Sequence, residues 1–152
     1  MAHLARLFAL LLLIASVAPL CASQPDDRLL DEQSIAALQA RIGQAPARDQ
    51  CFLYAELIHQ MTELSLRQYS AGDVDKATAL LQKVQEFAHK IHLTVNDSDK
   101  RLKNAEMLLR HTAFRLTSML HSSSYEDRPE FERTIAQVNE ADSATLKRVF
   151  QH

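Results

Sequence analysis

The amino-acid sequence predicts an all-α protein, and three observations carry this prediction. Glycine occurs only 2 times in 152 residues and tryptophan is absent, while leucine, alanine, glutamine, glutamate, lysine and arginine, which favour helix, are abundant. Apolar residues recur at the three- and four-residue spacing of amphipathic helices. Glycine, proline and polar runs fall between these periodic segments. We expect an antiparallel bundle of four main helices plus a short N-terminal helix, with helix two central.

The N-terminal residues 1–23 are predicted to be a signal peptide. A short segment containing Arg6 precedes the apolar residues 7–20, a stretch too short to span a bilayer comfortably. Small residues follow, and we place the cleavage after Ser23. The sequence therefore predicts a protein exported to the periplasm or out of the cell, with no membrane span after signal cleavage.

Cysteine usage is compatible with export but provides no disulfide framework. Cys21 lies in the predicted signal peptide, where lipidation is an alternative, although the bulky Leu20 before it does not suit that processing. Cys51 is then the only cysteine of the mature chain, so no intramolecular disulfide can form even in an oxidising compartment. We expect Cys51 to be a half-buried apolar residue or, as the alternative, to bridge two chains.

The chain that remains after cleavage is long enough for one domain with a modest core. Residues 24–30 are expected to be a disordered leader and residues 31–152 a single helical domain. The 19 acidic and 17 basic residues give a net charge of −2. This balance gives no global argument for binding to nucleic acid or to an anionic membrane.

Capping residues predict where the five helices begin and end. Gly43 should end helix one, and Gly72 followed by Asp73 gives a C-terminal glycine and then an N-cap, the shortest kind of link between antiparallel helices. Asp127 and Pro129 have the cap and early proline that open a helix. The expected spans are residues 31 or 34 to 42, 46–49 to 71, 74–93, 99–121 and 128–150.

Helix two differs from the others because it carries two apolar stripes rather than one. The second stripe includes Phe52, Leu66 and Tyr69, so we expect helix two to be covered on two sides. Helix four has a weaker second face made by Met107 and Phe114. If the fold leaves either face exposed as a contiguous patch, that patch is the predicted partner-binding surface.

Residues 64–84, LSLRQYSAGDVDKATALLQKV, resemble the middle of a tetratricopeptide repeat. The matching positions are Leu64, Ser65, Gly72, Asp73, Ala77, Leu81 and Val84. The resemblance covers one helical hairpin and implies hairpin geometry, with Ala77 close to helix two. As a whole, the chain also resembles short exported bacterial helical proteins of no established function.

Two Glu-x-x-His tetrads, at residues 56–59 and 86–89, raise the possibility of a di-metal bundle site. They stand at nearly the same height on helices two and three. At about 100° per residue, however, the helical wheel turns both away from the apolar stripes that should meet. Glu106 is the only further carboxylate near an inward face. We therefore interpret the tetrads as solvated faces.

A surface metal site remains as an alternative function. His89 and His92 are one turn apart and could bind Zn²⁺ or Cu²⁺ together with His59 or a carboxylate such as Glu86. This alternative describes a periplasmic metal-binding protein. His59 also falls within the second stripe of helix two, where a histidine packed between helices is the simpler expectation.

Five basic side chains concentrate in residues 100–115, at the start of helix four. They are Lys100, Arg101, Lys103, Arg110 and Arg115. An anion, a membrane surface or a protein partner could bind there. Glu106 interrupts the run, however, and no aromatic residues alternate with the charges as in single-strand binding. We interpret the segment as a solvated face and expect no nucleic-acid partner.

Catalysis finds little support, because no nucleophile elbow, phosphate-binding glycine loop, haem-attachment motif or C-x-x-C pair is present. The leading interpretation is a non-catalytic, exported interaction module that binds another protein or itself, without a cofactor. The metal-binding protein is second, and an enzyme with an unrecognised site is third.

Overall fold

A computed structural model of the chain describes residues 31–96 and 100–151, and the part described is helical without strands. The five helices are α1 (Glu32–Gln44), α2 (Ala47–Ser70), α3 (Val74–Thr94), α4 (Leu102–Ser122) and α5 (Arg128–Val149). The all-α class is confirmed. The predicted signal peptide, its cleavage after Ser23 and the leader 24–30 lie outside the described residues.

The helices pack side by side around one apolar core. α2 contacts α1, α3 and α4, and α5 contacts α3 and α4. The bulkiest fully buried apolar side chains come from all four long helices: Leu57, Ile58, Met61, Leu81, Val84, Ile91, Leu109, Leu116, Phe131 and Val138. Cys51 is buried as well. Within the described residues, none of the helices is both long enough and apolar enough to cross a membrane.

The link between α2 and α3 is closed by a glycine, as predicted. Gly72 has a φ of +89°, a left-handed conformation that glycine adopts without a side-chain clash. Its N–H donates to the Tyr69 carbonyl at 3.0 Å, and the Asp73 N–H donates to the Gln68 carbonyl at 2.9 Å. These two bonds form a Schellman motif. The Asp73 carboxylate does not cap α3; it lies 3.5 Å from Lys76 Nζ.

The end of α1 differs from the prediction. Asp31 caps the start as expected, because its carboxylate accepts from the Ser34 N–H at 2.7 Å. Gly43, however, lies inside the helix, which continues beyond it. Ala45 then adopts an extended backbone with ψ 143°, the conformation required of a residue that precedes a proline. Pro46, not Gly43, therefore ends α1.

The start of α5 also corrects the prediction. Asp127 precedes the helix and Pro129 lies in its first turn, but the Asp127 side chain makes no capping bond. Its carboxylate accepts from the Tyr69 hydroxyl at 2.7 Å and from the Ser124 hydroxyl at 2.6 Å. These hydrogen bonds hold the Asp127 pKa below its usual range. The Tyr69 ring also meets Phe131 edge to face at 5.3 Å, so Tyr69 joins the end of α2 to the α4–α5 connection.

Candidate binding surface along α4

The structure divides the predicted partner residues into buried and exposed sets. Phe52 and Leu66 are only 9% and 4% exposed, and Tyr69 is half-buried. Met107 and Phe114 are 58% and 68% exposed. The second apolar stripe of α2 therefore faces the interior, in agreement with the expectation that α2 is covered on two sides. It forms no exposed patch. The exposed candidates are on α4.

Met107 and Phe114 share one side of α4 with His111, which is also exposed. The three residues are spaced i, i+4 and i+7, so their side chains lie above one another on the helix surface. We call them the α4 strip. Single exposed apolar residues are ordinary on protein surfaces. Here two large apolar side chains, Met107 and Phe114, lie within two turns of each other on α4. The other sides of α4 contact α2 and α5.

A shallow groove of about 500 Å³ adjoins the strip. It is lined by Phe52, Arg101, Asn104, Met107, Leu108 and His111. The Arg101 guanidinium lies 3.4 Å from the centre of the Phe52 ring, a cation–π contact that covers the ring face. The groove is therefore apolar at its floor and positively charged at one wall.

Arg101 has a strained backbone in addition. Its φ of 60° makes it the only non-glycine residue with a positive φ in the described part of the chain. Such a conformation costs roughly 1–2 kcal/mol for a residue with a side chain. The preceding residue is held by a bond from the Lys100 N–H to the Arg48 carbonyl at 2.7 Å. This bond holds the backbone next to Arg101, whose guanidinium lies over the Phe52 ring.

The charges around the strip are mainly positive. Lys100, Arg101 and Lys103 are exposed on the first turn of α4 and just before it. Glu106, predicted to interrupt this basic run, is buried and forms an ion pair with Arg110. Its carboxylate therefore adds little negative charge at the surface.

Glu106 has a carboxyl neighbour from α5. Burial raises the pKa of Asp142, and the nearby Glu106 raises it further, while Arg110 opposes both effects. Two carboxylates with a single guanidinium form a compact polar cluster between α4 and α5. Burial and the neighbouring carboxylate both disfavour a negative charge on Asp142.

A second polar cluster joins α2 to α4, and we call it the α2–α4 seam. The Arg115 side chain donates from Nε and Nη2 to the two Glu63 carboxylate oxygens at 2.7 and 2.8 Å. One turn earlier on each helix, His59 and His111 face each other, and His59 Nδ1 lies 3.1 Å from Thr112 Oγ1.

Electrostatics differ between the two layers of the seam. The Glu63 pKa is lowered chiefly by the hydrogen bond from Arg115, with burial opposing it, and the same bond raises the Arg115 pKa. The His59 pKa is lowered chiefly by burial; Glu63 opposes this effect, while His111 and Arg115 add to it. At neutral pH the seam therefore holds an ion pair beside a neutral imidazole.

Of the residues of the alternative metal site, the described structure brings His89 and His92 together but gives them no third ligand. Glu86, His89 and His92 are exposed on α3, whereas His59 is half-buried beside α4. The His89 and His92 rings are nearly parallel, with centres 6.4 Å apart. Among residues 31–96 and 100–151, no three histidine, cysteine, aspartate or glutamate side chains are arranged to hold a metal ion.

The sequence analysis missed two residues: His111, which belongs to the α4 strip, and Glu63, which belongs to the α2–α4 seam. His111 could have been found from its position between Met107 and Phe114 on one helix face. Glu63 gives no local signal, because its partner Arg115 is 52 positions away.

Comparisons of the chain with models of protein families, with curated proteins and with solved structures found no match.

Proposed function

We propose that this chain is a non-catalytic interaction module that binds another protein through the α4 strip. The observation that carries the proposal is the exposure of Met107 and Phe114 on one face of α4, beside an apolar groove with a cationic wall. Large apolar side chains at the centre of a patch and charged ones around it are the usual composition of a protein interface.

The chemistry of the surface favours an acidic, amphipathic partner helix. An apolar side chain of the partner would enter the groove next to Met107. Its carboxylates would face Lys100, Arg101 and Lys103, which would orient the encounter. Binding to a second copy of this chain is the other interpretation, and the mass of the protein in solution distinguishes the two.

We also infer that α2–α5 form an antiparallel four-helix bundle, with α1 laid on α2 and α2 central. The contacts of α2 with three other helices and the tight glycine link to α3 support this arrangement. The tetratricopeptide-like hairpin at residues 64–84 is consistent with it, since Ser65 donates to the Ala77 carbonyl across the two helices at 2.9 Å.

Export remains part of the proposal. The apolar residues 7–20 and the small residues before the expected cleavage after Ser23 support it. The N-terminal residue of the protein recovered from its own cell envelope tests it. A chain that begins at Gln24 is the expected result, and an uncleaved chain that remains in the cytoplasm contradicts it.

A crosslinking experiment tests the interaction surface. A photoreactive amino acid at position 111 should trap a partner in the cell envelope, because His111 lies in the middle of the strip. Replacement of Phe114 by Asp should reduce the trapped fraction roughly 30-fold, the effect of losing about 2 kcal/mol at an interface centre.

The matched control is Leu93→Asp, which changes another exposed apolar residue on a different helix. It should leave the crosslink at position 111 intact. If Leu93→Asp removes the crosslink and Phe114→Asp does not, the binding surface is on α3. A crosslink only between two copies of this chain indicates self-association.

A further inference from the structure

Two histidines from different helices meet beside the α4 strip. The ring centres of His59 and His111 are 5.2 Å apart and their planes are inclined by 36°. His59 is half-buried, whereas His111 is exposed. Each ring is carried by a long helix, and the pair is open to solvent on the His111 side.

The hydrogen bonds around His59 determine which ring nitrogen is available. The Thr112 hydroxyl donates its single proton to the Leu108 carbonyl at 2.8 Å. With its proton on that carbonyl, the hydroxyl accepts from His59 Nδ1, 3.1 Å away; in either tautomer Nδ1 is engaged by Thr112, and a metal on Nε2 selects the form with the proton on Nδ1. The ring nitrogen left for another partner is therefore Nε2. A histidine that donates from one nitrogen and presents the other is oriented as a metal ligand.

We propose that His59 and His111 form a two-histidine chelate for a divalent transition-metal ion such as Zn²⁺ or Cu²⁺. A metal–nitrogen bond of about 2.0–2.1 Å puts the ion roughly 3.2 Å from each ring centre, so two rings that share an ion have centres up to roughly 6.4 Å apart. The separation of 5.2 Å fits. Imidazole nitrogen selects zinc or copper over calcium or magnesium.

The Glu63–Arg115 pair keeps the site at two protein ligands. Glu63 is one turn after His59 on α2, and Arg115 is one turn after His111 on α4. Both Glu63 carboxylate oxygens accept from Arg115, which withholds them from an ion. Water therefore completes the coordination.

Calorimetric titration of the purified protein, made without a polyhistidine tag, with Zn²⁺ and with Cu²⁺ tests the proposal. One ion should bind per chain, more tightly for Cu²⁺, as the general affinity order requires. His111→Ala should weaken binding at least tenfold. Arg115→Gln should tighten it about tenfold, because it frees the Glu63 carboxylate to become a third ligand.

The matched control is His89→Ala, which disrupts the exposed pair on α3 and should leave the affinity unchanged. An absence of binding, or binding lost in His89→Ala but kept in His111→Ala, overturns the proposal. An affinity unchanged by Arg115→Gln overturns the role given to Glu63. The titration uses the isolated chain, so its outcome does not depend on whether the α4 strip binds a protein partner.

Discussion

α2 meets its two long neighbours in opposite ways. Towards α3 the contact is close and largely apolar: Ser65 donates to the Ala77 carbonyl at 2.9 Å, and the Tyr54 and Phe87 rings stack at 5.8 Å. We call this contact the α2–α3 seam. Towards α4, an ion pair and two imidazoles lie in the contact. Apolar packing depends on shape, whereas polar pairing depends on protons and salt. We therefore expect the contribution of the α2–α3 seam to stability to be independent of pH and salt, and that of the contact with α4 to depend on both.

The largest effect is expected from Ala77→Leu in the α2–α3 seam. Ala77 is fully buried where Ser65 approaches it, so extra methyl groups should overpack the contact and lower the free energy of unfolding by roughly 1–3 kcal/mol. Urea unfolding followed by circular dichroism measures this. Ala79→Leu makes the same change at an exposed position of α3 and should have little effect. An unchanged midpoint for Ala77→Leu would mean that the two helices are not in close contact there.

A smaller effect is expected from the ion pair in the α2–α4 seam. A double-mutant cycle with Glu63→Gln and Arg115→Gln should give a coupling energy of about 0.5–1 kcal/mol. The fork geometry favours the upper end of this range, and the partial exposure of Arg115 limits it. The measurement is the free energy of unfolding of the four proteins, with a chelator present. A coupling of zero would show that the two side chains are solvated separately.

The smallest expected effect is the change of that coupling with pH. The Glu63 pKa is lowered in the folded protein by the Arg115 hydrogen bond. A folded-state pKa below the unfolded one gives stability that is present at neutral pH and lost as the pH falls through the folded value. The coupling should therefore shrink between about pH 7 and about pH 3.

The destabilisation caused by Ala77→Leu serves as the comparison for the Glu63–Arg115 coupling energy, because no ionisable group contributes to it. That cost should stay constant over the same pH range in which the ion-pair coupling shrinks. If both quantities decline in parallel, the acid is loosening the whole bundle, and the contrast between the two seams is wrong.

The sequence was sufficient to predict the helices and the α2–α3 seam because both depend on neighbours in the chain. Helix boundaries agree to within a few residues, and Gly72 and Ala77 occupy their expected places. The error at Gly43 arose because a glycine permits a helix end without requiring one. Pro46 did require it, since a proline constrains the residue before it.

The α2–α4 seam could not be predicted, because its pairs join residues more than fifty positions apart. His59 and Thr112 are separated by 53 positions, and Glu63 and Arg115 by 52. A helical wheel gives the direction of a side chain on its own helix but not the identity of the residue opposite. Asp127 shows this limit as well, because its carboxylate accepts from Ser124 and from Tyr69, which is 58 positions away, and does not cap α5.

The guanidinium of Arg101 has a consequence for how this protein behaves at high concentration. It shields the Phe52 ring, which would otherwise add an aromatic surface next to Met107. A neutral short side chain at position 101 would enlarge the adhesive area at this end of the molecule and favour precipitation. The Arg101 side chain thus limits the apolar surface at this end of the molecule.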